Sequence, residues 1–209
     1  MRFSQIDKRL VIVYPGRFQP FHLGHKQVFD FLVKQFGAGS VYIATSDKVE
    51  PLKSPFSFAE KKALMQLTGV PSSQVILTKN PYQAQEITAN YDPTKNVLVF
   101  AVSEKDMSDD PRFKFGLKKD GTPSYLQAFQ KDHDFKTFDK HGYVYTVPTF
   151  DFSILGREIR SASEIRAMYK DSDSETRVKL FTELFGKFDQ QLFKMVDSKL
   201  GDGNGGRID

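Results

Sequence analysis

The 209-residue chain contains neither cysteine nor tryptophan. Without cysteine there is no disulfide framework, no thiol catalysis and no zinc site built on thiolates. A reducing compartment suits such a chain, and we expect a cytoplasmic protein. Without tryptophan, packing falls largely to the 20 phenylalanines of a chain that is 39% hydrophobic, which is ample material for a sizeable core. No apolar stretch nears the roughly 18 residues needed to span a bilayer, and the opening nine residues are too polar for a signal-peptide core. We therefore expect no membrane association. A dense Lys/Arg run is also missing. The net charge of +4 is a mild excess that suits phosphorylated ligands and does not imply a nucleic-acid track.

Two glycine patterns lack the context their chemistry needs. Gly201 to Gly206 fits G-x-G-x-x-G with no strand before it and no helix after it, and reads as a flexible tail over 201–209. Gly116 to Thr122 has the glycine spacing of a P-loop without the lysine.

The order of elements alternates strand and helix. Leu10 to Tyr14 reads as a strand, and Val28, Phe31, Leu32 and Phe36 form one face of the helix that follows. Ser40 to Ser46 is a second strand. Ser57-Phe58-Ala59-Glu60 is a capping box opening a helix to about Leu67, Val75 to Leu77 is a third strand, and Asn96 to Val102 is an apolar run of the buried parallel type. Tyr143 to Val147 is a later strand, and Ser174 to Leu200 reads as one long amphipathic helix covering the sheet. We expect an α/β fold, a Rossmann-like doubly wound parallel sheet. The expected boundaries are a domain over 1–170 with an insertion at about 103–142, then a C-terminal helix over 171–200 packed on it.

The most informative run is Tyr14-Pro15-Gly16-Arg17-Phe18-Gln19-Pro20-Phe21-His22-Leu23-Gly24-His25. It joins a strand end to a helix start, where unpaired backbone N–H groups and the helix dipole favour an anion. Two imidazoles three positions apart add donors from one side, and Gly24 leaves the backbone uncovered. Such a pair could also cap the helix or ligate a metal. A metal site needs more ligands, and the other histidines, His133 and His141, lie far along in an irregular stretch.

A second anion receptor is legible at Ser161-Ala162-Ser163-Glu164-Ile165-Arg166. A capping box alone explains Ser161 and Glu164. It leaves unexplained Ser163 and Arg166, a hydroxyl and a guanidinium at or beside a helix N-terminus.

The first run resembles the H-x-G-H signature of the nucleotidylyltransferase superfamily, and its Gly16-Arg17-Phe18-Gln19-Pro20 wording is similar to the branch containing nicotinamide mononucleotide adenylyltransferases. The second resembles the downstream S-x-S/T-x-x-R motif of that superfamily. Weaker echoes lie at Ser54 to Met65, where Lys61 stands in place of the usual arginine, and at Ser103-Glu104-Lys105-Asp106, after the apolar strand. The resemblance spans about Leu10 to Arg166.

It implies nucleotidyl transfer from ATP to the phosphate of nicotinamide mononucleotide, giving NAD and pyrophosphate. His22, His25 and Arg17 would act at the reacting phosphate. Gly16, Phe18, Gly24, Ser161, Ser163 and Arg166 would bind the nucleotide, and Lys48, Lys53, Lys105 and Asp106 the acceptor. Mg²⁺ would arrive on the phosphates, with no metal ligand in the chain. Related transfer of a cytidylyl or adenylyl group to another small phosphate ester, such as phosphopantetheine, is the alternative. So is a nucleotide-binding assembly module without turnover. A homo-oligomer is compatible with the sequence.

Overall fold

Strand β1 (Arg9–Pro15) and strand β4 (Asn96–Ser103) are built from residues that tolerate burial on both faces, and both are buried along nearly their whole length. They pair in parallel, with Ile12 opposite Val99 and Val13 opposite Phe100. On the other side of β1 lies β2 (Val41–Thr45), followed by β3 (Val75–Leu77); beyond β4 come β6 (Gly142–Val147) and β5 (Leu126–Ala128). Every pairing in this six-stranded sheet is parallel. The chain runs outward from β1 to β3 in one direction and returns to β4 on the other side. The strand order therefore reverses between β1 and β4, the point where open α/β sheets place ligands beyond their carboxyl ends.

This computed structural model describes residues 9–108, 113–114, 116–130 and 134–201. They form two compact units that alternate along the chain: the first draws on Met1–Arg17, Val28–Ser46 and Ser73–Thr149, the second on Phe18–Gln27, Asp47–Ser72 and Phe150–Asp209. Helix α1 (Leu23–Phe36) begins in segments of the second and continues in the first.

The first unit holds the sheet and the short helices α3 (Gln85–Thr88) and α4 (Glu104–Ser108). One of its cores gathers Val11, Val13, Ala44, Leu98, Phe100, Val102 and Val144 with Ala84, Ile87 and Phe113. The expected insertion adds β5 to the sheet edge. Its three residues, Leu126-Gln127-Ala128, are all half-buried, so no apolar run marks them as a strand. His133 and the tail beyond Gly201 lie outside the described residues.

The second unit is helical. Helix α2 (Phe58–Leu67) opens on the expected capping box, Ser57 accepting from the Glu60 backbone N–H while the Glu60 carboxylate accepts from that of Ser57. A two-stranded antiparallel hairpin, β7 (Ser153–Ile154) and β8 (Arg157–Glu158), leads to α5 (Ala162–Lys170). The expected single helix over 174–200 is two: α6 (Ser174–Phe185) and α7 (Gln190–Leu200). Gly186 ends α6 at φ 83, a left-handed conformation that costs glycine little, and the Asp189 side chain caps α7 by accepting from the Leu192 N–H. Buried residues of α5, α6 and α7 close on Phe56, Leu64 and Ile154 in a common core.

Arg177 ties the ends of the three C-terminal helices together. Its guanidinium donates to the carbonyls of Tyr169, Lys170 and Gly201 and to the Asp197 carboxylate. Among the described residues no helix is long and apolar enough to cross a membrane.

Candidate active site

His22 and His25 stand at the start of α1 because the chain leaves β1 through Pro15-Gly16, turns at Phe18 with φ 48, and enters the helix at Leu23. The positive φ at Phe18 is strained for a bulky side chain, and the packing around it must hold it there. Phe18 is 6% exposed. Its ring meets His25 edge-on at 5.1 Å and Phe21 at 5.4 Å. Phe18, expected from the motif to touch nucleotide, thus forms the wall behind His25.

The two imidazoles lie against each other, centroids 3.9 Å apart. Each receives a backbone N–H on Nδ1: Gly24 donates to His22 (3.0 Å) and His22 donates to His25 (3.3 Å). A nitrogen that accepts cannot carry a proton, so both rings are neutral with the proton on Nε2. Electrostatics agrees. Burial pushes His22 well below the ordinary histidine range, with His25 adding to the effect, and burial pushes His25 down to about 4. At neutral pH the pair presents two Nε2–H donors.

Gly24 is required by close approach. A Cβ there would lie 2.8 Å from Cε1 of His22 and 3.0 Å from the Phe152 ring. Phe152 itself stacks on His22, centroids 4.6 Å apart and planes 12° from parallel.

The loop carrying the histidines is pinned by Gln19. Its buried amide donates to the Phe56 carbonyl (2.9 Å) and accepts the Phe56 N–H (2.8 Å), a two-point match between loop and turn. That turn is held in addition by Lys199 of α7, which donates to the Pro55 carbonyl and pairs with Glu60 at 3.0 Å. The Ser57 backbone N–H, with Lys199 and the Ser57 hydroxyl adding to it, keeps the Glu60 carboxyl below its usual range despite partial burial.

Arg166, 147 residues from Gln19, donates its guanidinium to the Gln19 carbonyl at 2.9 Å. The two segments expected to bind anions therefore meet at one loop inside the second unit. At the start of α5, Ser161 caps the Glu164 N–H and shares a 2.9 Å hydrogen bond with the exposed Ser163 hydroxyl.

Lys48 sits in an exposed loop, paired with Glu50 at 2.5 Å with 75% of its side chain exposed, and Lys53 is exposed in the same loop. Lys61 is fully buried in α2, where desolvation pushes its pKa down to about 8 against the opposing charge of Asp47.

Gly16 and Arg17 belong to the first unit. Gly16 extends the β1 ladder by donating to the Ala44 carbonyl, and the exposed Arg17 accepts at its carbonyl from the Thr45 hydroxyl. Lys105 and Asp106 lie in α4, also in the first unit, and Asp106 exchanges hydrogen bonds with Ser103 at the end of β4. The sequence alone does not mark Gln19, Phe56 or Phe152 as supports. Gln19 lay within the motif, whereas Phe152 is one aromatic in an irregular stretch with no pattern around it.

A family model described as cytidylyltransferase-like matches residues 13–139. The chain is similar to the nicotinamide-nucleotide adenylyltransferase of Sulfurisphaera tokodaii, 35% identical over 49 residues that cover 23% of this chain and 28% of that protein. It is also similar to nicotinamide-nucleotide adenylyltransferase 1 of Sulfolobus acidocaldarius, 32% identical over 69 residues, 31% of this chain and 39% of that protein. The matched stretches thus span well under half the length of these curated relatives. Among solved structures, the bifunctional NMN adenylyltransferase/ADP ribose pyrophosphatase from Francisella tularensis shares the fold, with a TM-score of 0.52 at 17% identity over 92% of this chain and 51% of that one.

Proposed function

Because the chain belongs to the cytidylyltransferase-like family, we propose that it transfers the adenylyl group of ATP to the phosphate of nicotinamide mononucleotide, forming NAD and releasing pyrophosphate. A phosphate oxygen of the acceptor forms a bond to the α-phosphorus of ATP while the bond from that phosphorus to the α–β bridging oxygen breaks, and the electron pair leaves with pyrophosphate. The acceptor phosphate is ionised at neutral pH, so no protein base is needed. The work left to the chain is alignment and stabilisation of charge gathering on phosphate oxygens.

The observation that carries this reading is the Arg166 bond to the Gln19 carbonyl, which brings the second anion-binding segment to the loop of His22 and His25. The two Nε2–H groups donate to the triphosphate near the reacting phosphorus. Arg166, Ser161 and Ser163 hold the outer phosphates that depart. Mg²⁺ arriving on the nucleotide would supply further charge neutralisation at the phosphates. A second structure of the Francisella protein, complexed with AMP and a manganese ion, is in keeping with a metal-assisted reaction on a nucleotide.

The test is incubation of the purified protein with ATP, Mg²⁺ and nicotinamide mononucleotide, with NAD and pyrophosphate both quantified. Parallel arms replace ATP by CTP and the acceptor by phosphopantetheine. NAD with equimolar pyrophosphate is expected, and His25→Ala should lower turnover by about 10²–10³-fold, the usual cost of one donor to transition-state charge. Product in another arm alone would reassign the substrates. ATP binding without pyrophosphate release in any arm would replace the transferase by a binding module.

A further inference from the structure

The His22 ring meets three groups. His25 lies against it, tilted, with centroids 3.9 Å apart, Phe152 stacks on it at 4.6 Å with planes 12° from parallel, and the Gly24 N–H points at Nδ1 from 3.0 Å. The space beside Gly24 is closed as well, since even a single carbon there would collide with both His22 and Phe152. A tilt of the imidazole away from its present plane drives an edge into Phe152 or breaks the Gly24 bond. A flat aromatic face defines the plane of its neighbour, whereas an aliphatic side chain of similar bulk only fills the space.

Phe152 is itself held firmly. Its carbonyl accepts the Ile159 N–H at 2.8 Å, closing the base of the β7–β8 hairpin. The hairpin is anchored by Ile154, 1% exposed in the helical core, and by the Leu155 N–H, which donates to the Glu183 carboxylate of α6. The short connection from β8 to α5 leads from Phe152 to the Ser161–Arg166 segment, so one hairpin precedes the second anion-binding motif and places a ring on the first.

We propose that Phe152 is a positioning residue for His22, fixing the plane of the imidazole so that its Nε2–H is aimed at the triphosphate. The proposal rests on the adenylyl-transfer reading for its consequence and on the geometry alone for its cause. A ring that tilts or picks up a second proton loses the Gly24 bond, because a protonated Nδ1 cannot accept. Plane, tautomer and neutrality are therefore one property, and Phe152 guards it by stacking on the ring. The titratable group that acts on the ring is His25 on α1; Arg166 of α5 reaches the Gln19 carbonyl of the same loop. From the hairpin, the contact is the uncharged Phe152 ring.

Three variants separate positioning from space filling: Phe152→Ala, Phe152→Leu and Phe152→Tyr. The first readout is a nitrogen-15 NMR titration of the histidine side chains in the ligand-free full chain, with His22 assigned by its loss in His22→Gln. Wild type and Phe152→Tyr should show His22 as the Nε2–H tautomer, resisting protonation well below the ordinary histidine range. Phe152→Leu and Phe152→Ala should show a tautomer mixture and a titration moved up toward that of an ordinary histidine. An unchanged tautomer and titration in Phe152→Leu overturns the proposal, and that readout stands whether or not the protein makes NAD.

The second readout is steady-state kinetics. In Phe152→Leu, kcat should fall about 10–100-fold with KM for ATP changed less than about threefold, the split expected when aim is lost and binding is kept. Phe152→Tyr should restore kcat. Wild-type kcat in Phe152→Leu would reduce Phe152 to a space filler. Should Phe152→Ala fail to fold, the leucine and tyrosine variants carry both readouts unaided.

Discussion

At the scale of single residues, the arrangement turns on how a neutral imidazole is kept neutral. His22 and His25 each give up Nδ1 to a backbone N–H, and both are desolvated, so neither gains by taking a proton. Between the ordinary histidine value of 6.5 and about 4, the unfolded chain binds protons that the folded His25 refuses. Stability present above that window is lost as pH falls through it. Denaturant midpoints measured from pH 7.5 to 4.5 should therefore decline, and less steeply in His25→Gln; equal slopes would show that the imidazole is not shielded. Glu60, whose carboxyl lies below its usual range, adds to the decline only at the acid end. Gly24 supplies a sharper test. In Gly24→Ala the new carbon takes the space of the His22 ring, and we expect turnover to drop by about 10²-fold, the scale of a 1 Å misplacement. Turnover within twofold of wild type would mean that the ring has room to move.

At the scale of elements, the loop before α1 owes its shape to partners far away in sequence. Gln19 matches donor and acceptor to the backbone of Phe56, and the neighbouring Pro55 carbonyl is taken by Lys199. Replacing Gln19 by leucine keeps much of the volume and orphans a buried N–H and a buried carbonyl. Each orphan costs about 1–3 kcal/mol, and urea melts should register the loss, with turnover falling too because the loop bears His22. An unaltered midpoint would show that water replaces the amide. Within the helical unit, the break between α6 and α7 shows how a pattern can mislead. Phe181, Leu184, Phe185, Phe188 and Leu192 keep helical spacing across it, yet Gly186 and the capping Asp189 end one helix and begin another. Both stop and start signals were in the sequence, and the apolar periodicity ran over them.

At the scale of the whole molecule, ligand binding should be visible as stability. If ATP binds only the native chain, a concentration 100 times its dissociation constant adds about 2.7 kcal/mol. We expect ATP with Mg²⁺ to raise the thermal midpoint, and Arg166→Ala to shrink that rise at fixed nucleotide; an equal rise in the variant would remove Arg166 from the triphosphate site. The parallel sheet, the capping box at Ser57 and the helix starts at Leu23 and Ala162 were legible in the sequence, because alternation, caps and helix starts are written within a few neighbouring residues. Tertiary structure alone decided that Arg166 reaches the Gln19 carbonyl, that Gln19 clasps Phe56, that Phe152 covers His22, and that Leu126–Ala128 joins the sheet edge. Those contacts join residues from 37 to 147 positions apart where a hydrogen bond records the separation. Pairing across such distances leaves no periodic trace in one chain, since it depends on where the backbone has already been carried by its local elements.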